Sequence, residues 1–197
     1  MGLILTYQEG QTPLDPEQIN GFKIKTISTQ QQLNEFEQTN INEALQWLNS
    51  KRKIKDVLSE EFMIQLHKRM LGMVWKWAGQ FRKTETNIGI DWTRISIELR
   101  LLIDDANFWV EHRTYLPEEI AIRFKHRLVS IHCFSNGNGR HSRIMADLIA
   151  LHVFGLNKFS WGNRSLVDIS EQRKIYLKAL KMADNGNFSE LINFARS

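Results

Sequence analysis

The stretch His132-Cys133-Phe134-Ser135-Asn136-Gly137-Asn138-Gly139-Arg140-His141-Ser142-Arg143 constrains this chain more than any other feature. It lies between two segments that read as helices, so the turn opens onto the N-terminus of the second. The free N–H groups and partial positive charge of a helix N-terminus favour acidic neighbours, yet Arg140 and Arg143 stand there. That conflict points to a missing anion. A polyphosphate over Gly137 and Gly139 would accept the free N–H groups and pair with both arginines, with His132 facing it.

The flanks fit this geometry. Pro117-Glu118-Glu119 reads as a helix start, with proline in the first turn and acids favoured by the dipole. Ile120, Phe124, Leu128 and Ile131 recur at helical spacing up to the loop. Beyond it, Ile144 to Leu151 is apolar nearly all round, which predicts a buried helix under the loop. Upstream, Leu33, Phe36, Ile41, Ala44, Leu45 and Leu48 predict a helix over 33–48, followed by the basic link Lys51-Arg52-Lys53. Ser59-Glu60-Glu61 caps another helix through Leu71, with Phe62, Leu66 and Met70 on its apolar face. Residues 1–28 read as an irregular arm holding Pro13 and Pro16. Thr84-Glu85-Thr86-Asn87-Ile88-Gly89-Ile90 is the best candidate for strand or hairpin structure, and helices resume near Ser96. The expected fold is one mainly α domain over 1–197, with a core from about 60 to 195 and one small β-hairpin.

Composition narrows the function classes. With 197 residues and 42% hydrophobic content the chain has room for a real core. Its single cysteine excludes an intramolecular disulfide. No apolar run approaches membrane-spanning length, and the start, Met1-Gly2-Leu3-Ile4-Leu5-Thr6-Tyr7, lacks the pattern of a secretory signal, so the expectation is a cytoplasmic protein with no membrane partner. The net charge of +4 and pI near 9.2 would suit nucleic acid, but the basic residues are scattered among acids. His67, His112, His126, His141 and His152 read as structural or solvated, and Trp75 and Trp77 as core.

The loop resembles the signature of the Fic family, His-x-Phe-x-(Asp/Glu)-Gly-Asn-Gly-Arg-x-x-Arg, at His132, Phe134, Gly137, Asn138, Gly139, Arg140 and Arg143. Trp75-Lys76-Trp77-Ala78-Gly79 with Phe81-Arg82 resembles the family's approach to its target-binding flap. Arg173, Tyr176, Ala179-Leu180, Ala183-Asp184 and Gly186 resemble its closing helices. In detail the chain is most similar to the mobile mystery protein B branch. Two positions depart from the signature: Cys133 replaces a common proline, and Asn136 replaces the acid that holds the divalent cation in the family.

The resemblance implies a Fic-type helical bundle with a β-hairpin flap beside the active-site loop. It implies transfer of AMP from ATP, with Mg²⁺, to a Ser, Thr or Tyr hydroxyl of a target protein. His132 would be the general base, since imidazole titrates close to working pH. Gly137 and Gly139 would let backbone N–H groups approach the phosphates, and Asn138 would support the loop or the phosphates. Arg140 would neutralise the transferring phosphate, and Arg143 would reach the γ-phosphate or pair with Asp147, four residues on. Gly139 stands where Doc-type relatives carry lysine, which favours transfer of the nucleoside monophosphate. Residues 84–90 would hold an extended target segment through their backbone, with Ile88 or Ile90 as clamp. An inhibitory pattern, (Ser/Thr)-x-x-x-Glu-(Gly/Asn), is matched but for its last residue by Thr39-Asn40-Ile41-Asn42-Glu43-Ala44, which places Glu43 against Arg143.

Other readings stay open. An amide oxygen at Asn136 is a weak ligand for a hard cation, so the chain could be a nucleotide-binding regulator with little turnover, or use another nucleotide. A homo-oligomer is also open. A nucleic-acid-binding role has no recognised motif behind it.

Overall fold

The structure, a computed structural model, describes residues 13–51, 53–162 and 169–197. The beginning of the arm and Arg52 of the basic link lie outside the described residues. The helices are α1 (Pro16–Asn20), α2 (Gln30–Asn49), α3 (Glu60–Leu71), α4 (Ile95–His112), α5 (Pro117–Ile131), α6 (Asn138–Leu148), α7 (Ile169–Asp184) and α8 (Ser189–Arg196). None of them is long and apolar enough to cross a membrane.

Local chemistry sets the ends. Ser59 caps α3, with Glu60 and Glu61 in its first turn and Lys68 and Arg69 in its last, a charge order that matches the helix dipole. α2 starts earlier than the apolar spacing predicts, because Thr29 and Gln32 form a capping box. The arm is not wholly irregular: Asp15 and Gln18 form a second capping box, and Pro16 opens the five-residue α1.

Two expectations need correction. Residues 82–92 do not form a hairpin; they run as bends into a 3₁₀ turn at Trp92–Arg94. Among the described residues the only β pairings are the isolated bridges Phe22–Trp75 and Phe81–Phe134. Side-chain bonds hold the segment instead: Thr86 Oγ1 donates to the Ile88 carbonyl at 2.6 Å, and Thr84 Oγ1 to the Asp15 carboxylate at 3.2 Å. A lone two-stranded hairpin is marginal in water in any case. The helix expected over 144–151 instead begins at Asn138 and widens into a π-helical turn at Ile149–Val153. Leu151 reaches solvent there, so the apolar segment is not buried all round.

α5 lies between α4 and α6, α2 packs on α3, and α7 pairs with α8. Leu66, Met70 and Leu71 from α3 share one buried core with Phe124 and Ile131 from α5 and Met145 from α6, all fully buried. Fully burying such side chains stabilises by about 1.5–3 kcal/mol each, which makes α3, α5 and α6 the rigid base of the loop between the last two.

Beneath that loop sits an imidazole and phenyl stack. The His67 ring lies 3.7 Å from Phe134, nearly parallel, and His141 meets Phe134 edge-on. His67 Nδ1 accepts the Gly79 N–H at 2.9 Å, so Nε2 carries the proton and donates to the Asn136 carbonyl at 2.9 Å. His141 Nε2 donates to the Met63 carbonyl at 3.0 Å. Burial, then the neighbouring His141, holds His67 well below the usual imidazole range, and burial pushes His141 down to about 4.

Folded, both rings stay neutral; unfolded, they titrate near 6.5. As pH falls below 6.5 the unfolded chain takes up protons that the folded chain refuses. The stability is therefore full above that value and is lost as pH falls toward about 4, where His141 protonates in place. Asp147, raised to about 6 by burial, acts in the opposite sense and lends stability that fades as pH rises through 6. The histidines outnumber it. Urea unfolding at pH 7.5 and at pH 5 is expected to show a lower midpoint in acid, and His141→Gln, if folded, a shallower pH dependence.

Candidate functional site

α5 stops at His132, whose backbone turns left-handed with φ 57° and ψ 58°, a region in which histidine is more at home than most residues. The turn drives the side chain inward, to 4% exposure. Burial pushes its imidazole down to about 4; a hydrogen bond to the Val129 backbone works against this, and the Arg82 cation adds to it. His132 is thus an unprotonated base at neutral pH.

The loop after it is held from within. Asn138 Oδ1 accepts the Phe134 N–H at 2.9 Å and its Nδ2 donates to the Phe134 carbonyl at 2.7 Å. Of its two expected roles, then, Asn138 supports the loop. Asn136 Oδ1 accepts the Gly137 N–H at 2.5 Å. Gly137 has φ 79° and would place a Cβ 2.7 Å from Leu71, so both conformation and space require glycine. A Cβ at Gly139 would meet nothing within 4 Å. The Cys133 thiol is buried, which pushes it up to about 12.

α6 opens at Asn138 without a side-chain cap, and its first turn faces a cavity of about 880 Å³. That cavity brings together His132, Asn136, Gly137, Asn138, Gly139, Arg140 and Arg143, with Ile88 and Gly89 at its edge. Thr84, Glu85, Thr86, Asn87 and Ile90 do not line it. The arrangement offers an anion two guanidiniums and a helix start, with a neutral base close by.

The structure does not bring Glu43 against Arg143. Glu43 is exposed on the outer face of the helix. Glu37, almost two turns earlier, points inward at 6% exposure, pairs with Arg140 Nη1 at 2.7 Å, and accepts Trp75 Nε1–H at 2.7 Å. Helical phase explains the difference: Leu33, Glu37, Asn40, Ile41, Ala44 and Leu48 form the buried face, and position 43 lies off it. Trp75 is core, as expected, and stacks on Trp77 at 5.0 Å; its role as the donor that fixes Glu37 was not legible.

Arg143 does not turn to Asp147. Asp147 accepts from Phe159 N–H and Trp161 Nε1–H, both at 3.0 Å. The Arg143 guanidinium instead lies 5.0 Å over the Tyr176 ring and bonds its hydroxyl, while its Nε is buried without a partner. Tyr176 also takes a hydrogen bond from Lys125, a fully buried amine held well below the usual range by burial and then by Arg143. Lys125 escaped the sequence reading, and so did the meeting of Tyr176 with Arg143, because these residues belong to different helices.

The Mg²⁺ that the resemblance implies does not fit the protein groups alone. Asn136 offers a neutral oxygen already engaged with Gly137 N–H. No group of three His, Cys, Asp or Glu side chains suited to a metal exists among the described residues.

Residues 57–150 match the Fic/DOC family model. The protein adenylyltransferase Fic of Drosophila grimshawi is 26% identical over 155 residues, 77% of this chain and 30% of that protein. The chain thus spans about a third of the length of the curated relatives it matches. Among solved structures, Fic-1 from C. elegans superposes with TM-score 0.63 at 24% identity, over 80% of this chain and 46% of that one. BepC, a VirB-translocated effector of Bartonella tribocorum solved with bound AMPPNP, superposes with TM-score 0.67 at 17% identity, over 88% of this chain and 90% of that one. These likenesses show the fold.

Because Glu37 occupies Arg140, any anion that paired with this guanidinium would have to displace a carboxylate. Glu37→Gln is expected to tighten binding of a nucleoside triphosphate severalfold in a calorimetric titration, and Glu43→Gln to leave it unchanged.

Proposed function

We propose, from the match of residues 57–150 to the Fic/DOC family model, that the chain is a protein adenylyltransferase that moves AMP from ATP to a Ser, Thr or Tyr hydroxyl of another protein. The observation that carries this reading is the meeting of a buried, neutral His132 with Arg140, Arg143 and the uncapped start of α6 in one cavity.

The target hydroxyl oxygen attacks the α-phosphorus while His132 takes its proton. The bond from that phosphorus to the bridging oxygen breaks, and pyrophosphate leaves. Arg140, once released from Glu37, neutralises charge on the transferred group, and Arg143 meets the outer phosphates. The open space at Gly139 suits close approach of a phosphate to the backbone. Within residues 84–90, Ile88 and Gly89 offer the target side of the cavity, with Gly89 against His132. Relatives named as adenylyltransferases support the chemistry, and neighbours solved with AMPPNP and ADP support a nucleotide in this fold. The mobile mystery protein B placement rests on the sequence resemblance alone.

In this reading the resting state is inhibited, with Glu37 as the brake in place of Glu43. A second reading, a nucleotide-binding regulator with little turnover, draws on Asn136, whose oxygen is neutral and committed to Gly137.

Incubation with ATP labelled on the α-phosphate, and separately on the γ-phosphate, decides between them. Adenylyl transfer leaves only the α label on protein, whereas a regulator binds nucleotide and leaves none. Labelling is expected to fall at least a hundredfold in His132→Ala with nucleotide affinity kept. Asn136→Asp is expected to lower the Mg²⁺ concentration for half-maximal labelling.

A further inference from the structure

Arg82 is 2% exposed, and no carboxylate forms an ion pair with it among the described residues. Its nearest acids, Glu85 and Asp91, act only at a distance, and burial lowers its pKa from the ordinary arginine value. A buried cation without a counter-ion is costly unless hydrogen bonds satisfy it. Here backbone carbonyls do so. Nε donates to His132 O at 2.7 Å, Nη1 to Thr84 O at 2.9 Å, and Nη2 to Ile90 O and, longer, to Ile131 O at 3.4 Å. The Arg82 backbone N–H completes the set by donating to Cys133 O at 2.9 Å.

These acceptors belong to two places. Ile131 and His132 end α5, where carbonyls lack helical partners and a cation complements the dipole. Thr84 and Ile90 bound the segment that faces the cavity mouth. No strand pairing holds that segment, as the bends there show, so the guanidinium stands in for the missing ladder. Gly89 marks how closely the two places meet: at φ 110°, a Cβ there would fall 2.6 Å from His132 Cβ and 3.0 Å from Arg82 Nη2.

We infer that Arg82 is a positioning residue that clamps residues 84–90 onto the main chain of His132, so that the target-side segment and the base are set as one unit. The assignment of target and base rests on the function proposed above; the clamp itself does not. A planar guanidinium carries donors on separate edges and spans both acceptor groups. A lysine ammonium gathers its donors at one point and cannot.

The test is Arg82→Lys, read by backbone amide order parameters from NMR relaxation. In the wild type, residues 84–90 and His132 are expected near the rigid value of about 0.85. In the variant they should fall below about 0.6 while the helices keep theirs. Nucleotide affinity should stay within about twofold of wild type, because Arg82 touches no residue of the α6 start. With a hydroxyl target, KM should rise and kcat fall about ten- to a hundredfold, as expected when a base and its substrate lose mutual alignment.

If Arg82→Lys does not fold, Gly89→Ala probes the same joint with Arg82 intact. It should loosen the same residues by pushing the segment off His132. Unchanged order parameters at 84–90 in the folded variant overturn the inference. So does a uniform loosening of the whole chain with parallel loss of nucleotide affinity, which is what a merely structural arginine would give. Absence of any transferase activity in the wild type counts against the proposed function alone, since the order parameters still decide the clamp.

Discussion

His67 joins three parts of the chain that are far apart in sequence, and it can do so only as a neutral ring. One nitrogen receives the Gly79 N–H, the other gives its proton to the Asn136 carbonyl, and the face lies on Phe134. A second proton on the ring would set two donors against each other at Gly79. Burial keeps that proton off, and the hydrophobic base from α3, α5 and α6 supplies the burial. The shape of the loop from His132 to Arg143 thus depends on apolar packing beneath it as much as on its own glycines.

α2 shows how one carboxylate can be part of the core and part of the site at once. Glu37 has one oxygen on the Trp75 indole and the other on Arg140. The indole bond fixes the carboxylate, so its grip on Arg140 loses little side-chain freedom. Arg143, by contrast, is steadied by an aromatic face and a hydroxyl, and its buried Nε keeps an unused donor. The two arginines are therefore held differently: Arg140 pairs with an acid, and Arg143 lies over an aromatic ring.

The loop from His132 to Arg143 was legible because its chemistry is local: glycine positions, guanidiniums and a helix start lie within a dozen residues. Helices α3 and α5 were legible for the same reason, since capping residues and apolar spacing sit side by side. Glu43 was expected on a short pattern, but helix phase, which the apolar residues of α2 already carry, turns Glu37 inward and Glu43 to solvent. The supposed hairpin failed because alternation of Thr and Ile reports an extended chain and not a partner. What holds it, an arginine outside the alternating run, gives no periodic signal. Tyr176 and Lys125 depended on the meeting of α5 with α7, a tertiary fact that no window of sequence contains.

Cys133 is the sole thiol in the chain, and its buried place beside His132 makes it chemically silent: a thiol raised to about 12 and shut away from solvent supplies almost no thiolate at neutral pH. The protein therefore arrives ready for spectroscopy. A cysteine introduced on the outer surface of the 84–90 segment would be the single group to take up a maleimide dye or spin label. No background substitution would be needed in the turn that carries His132.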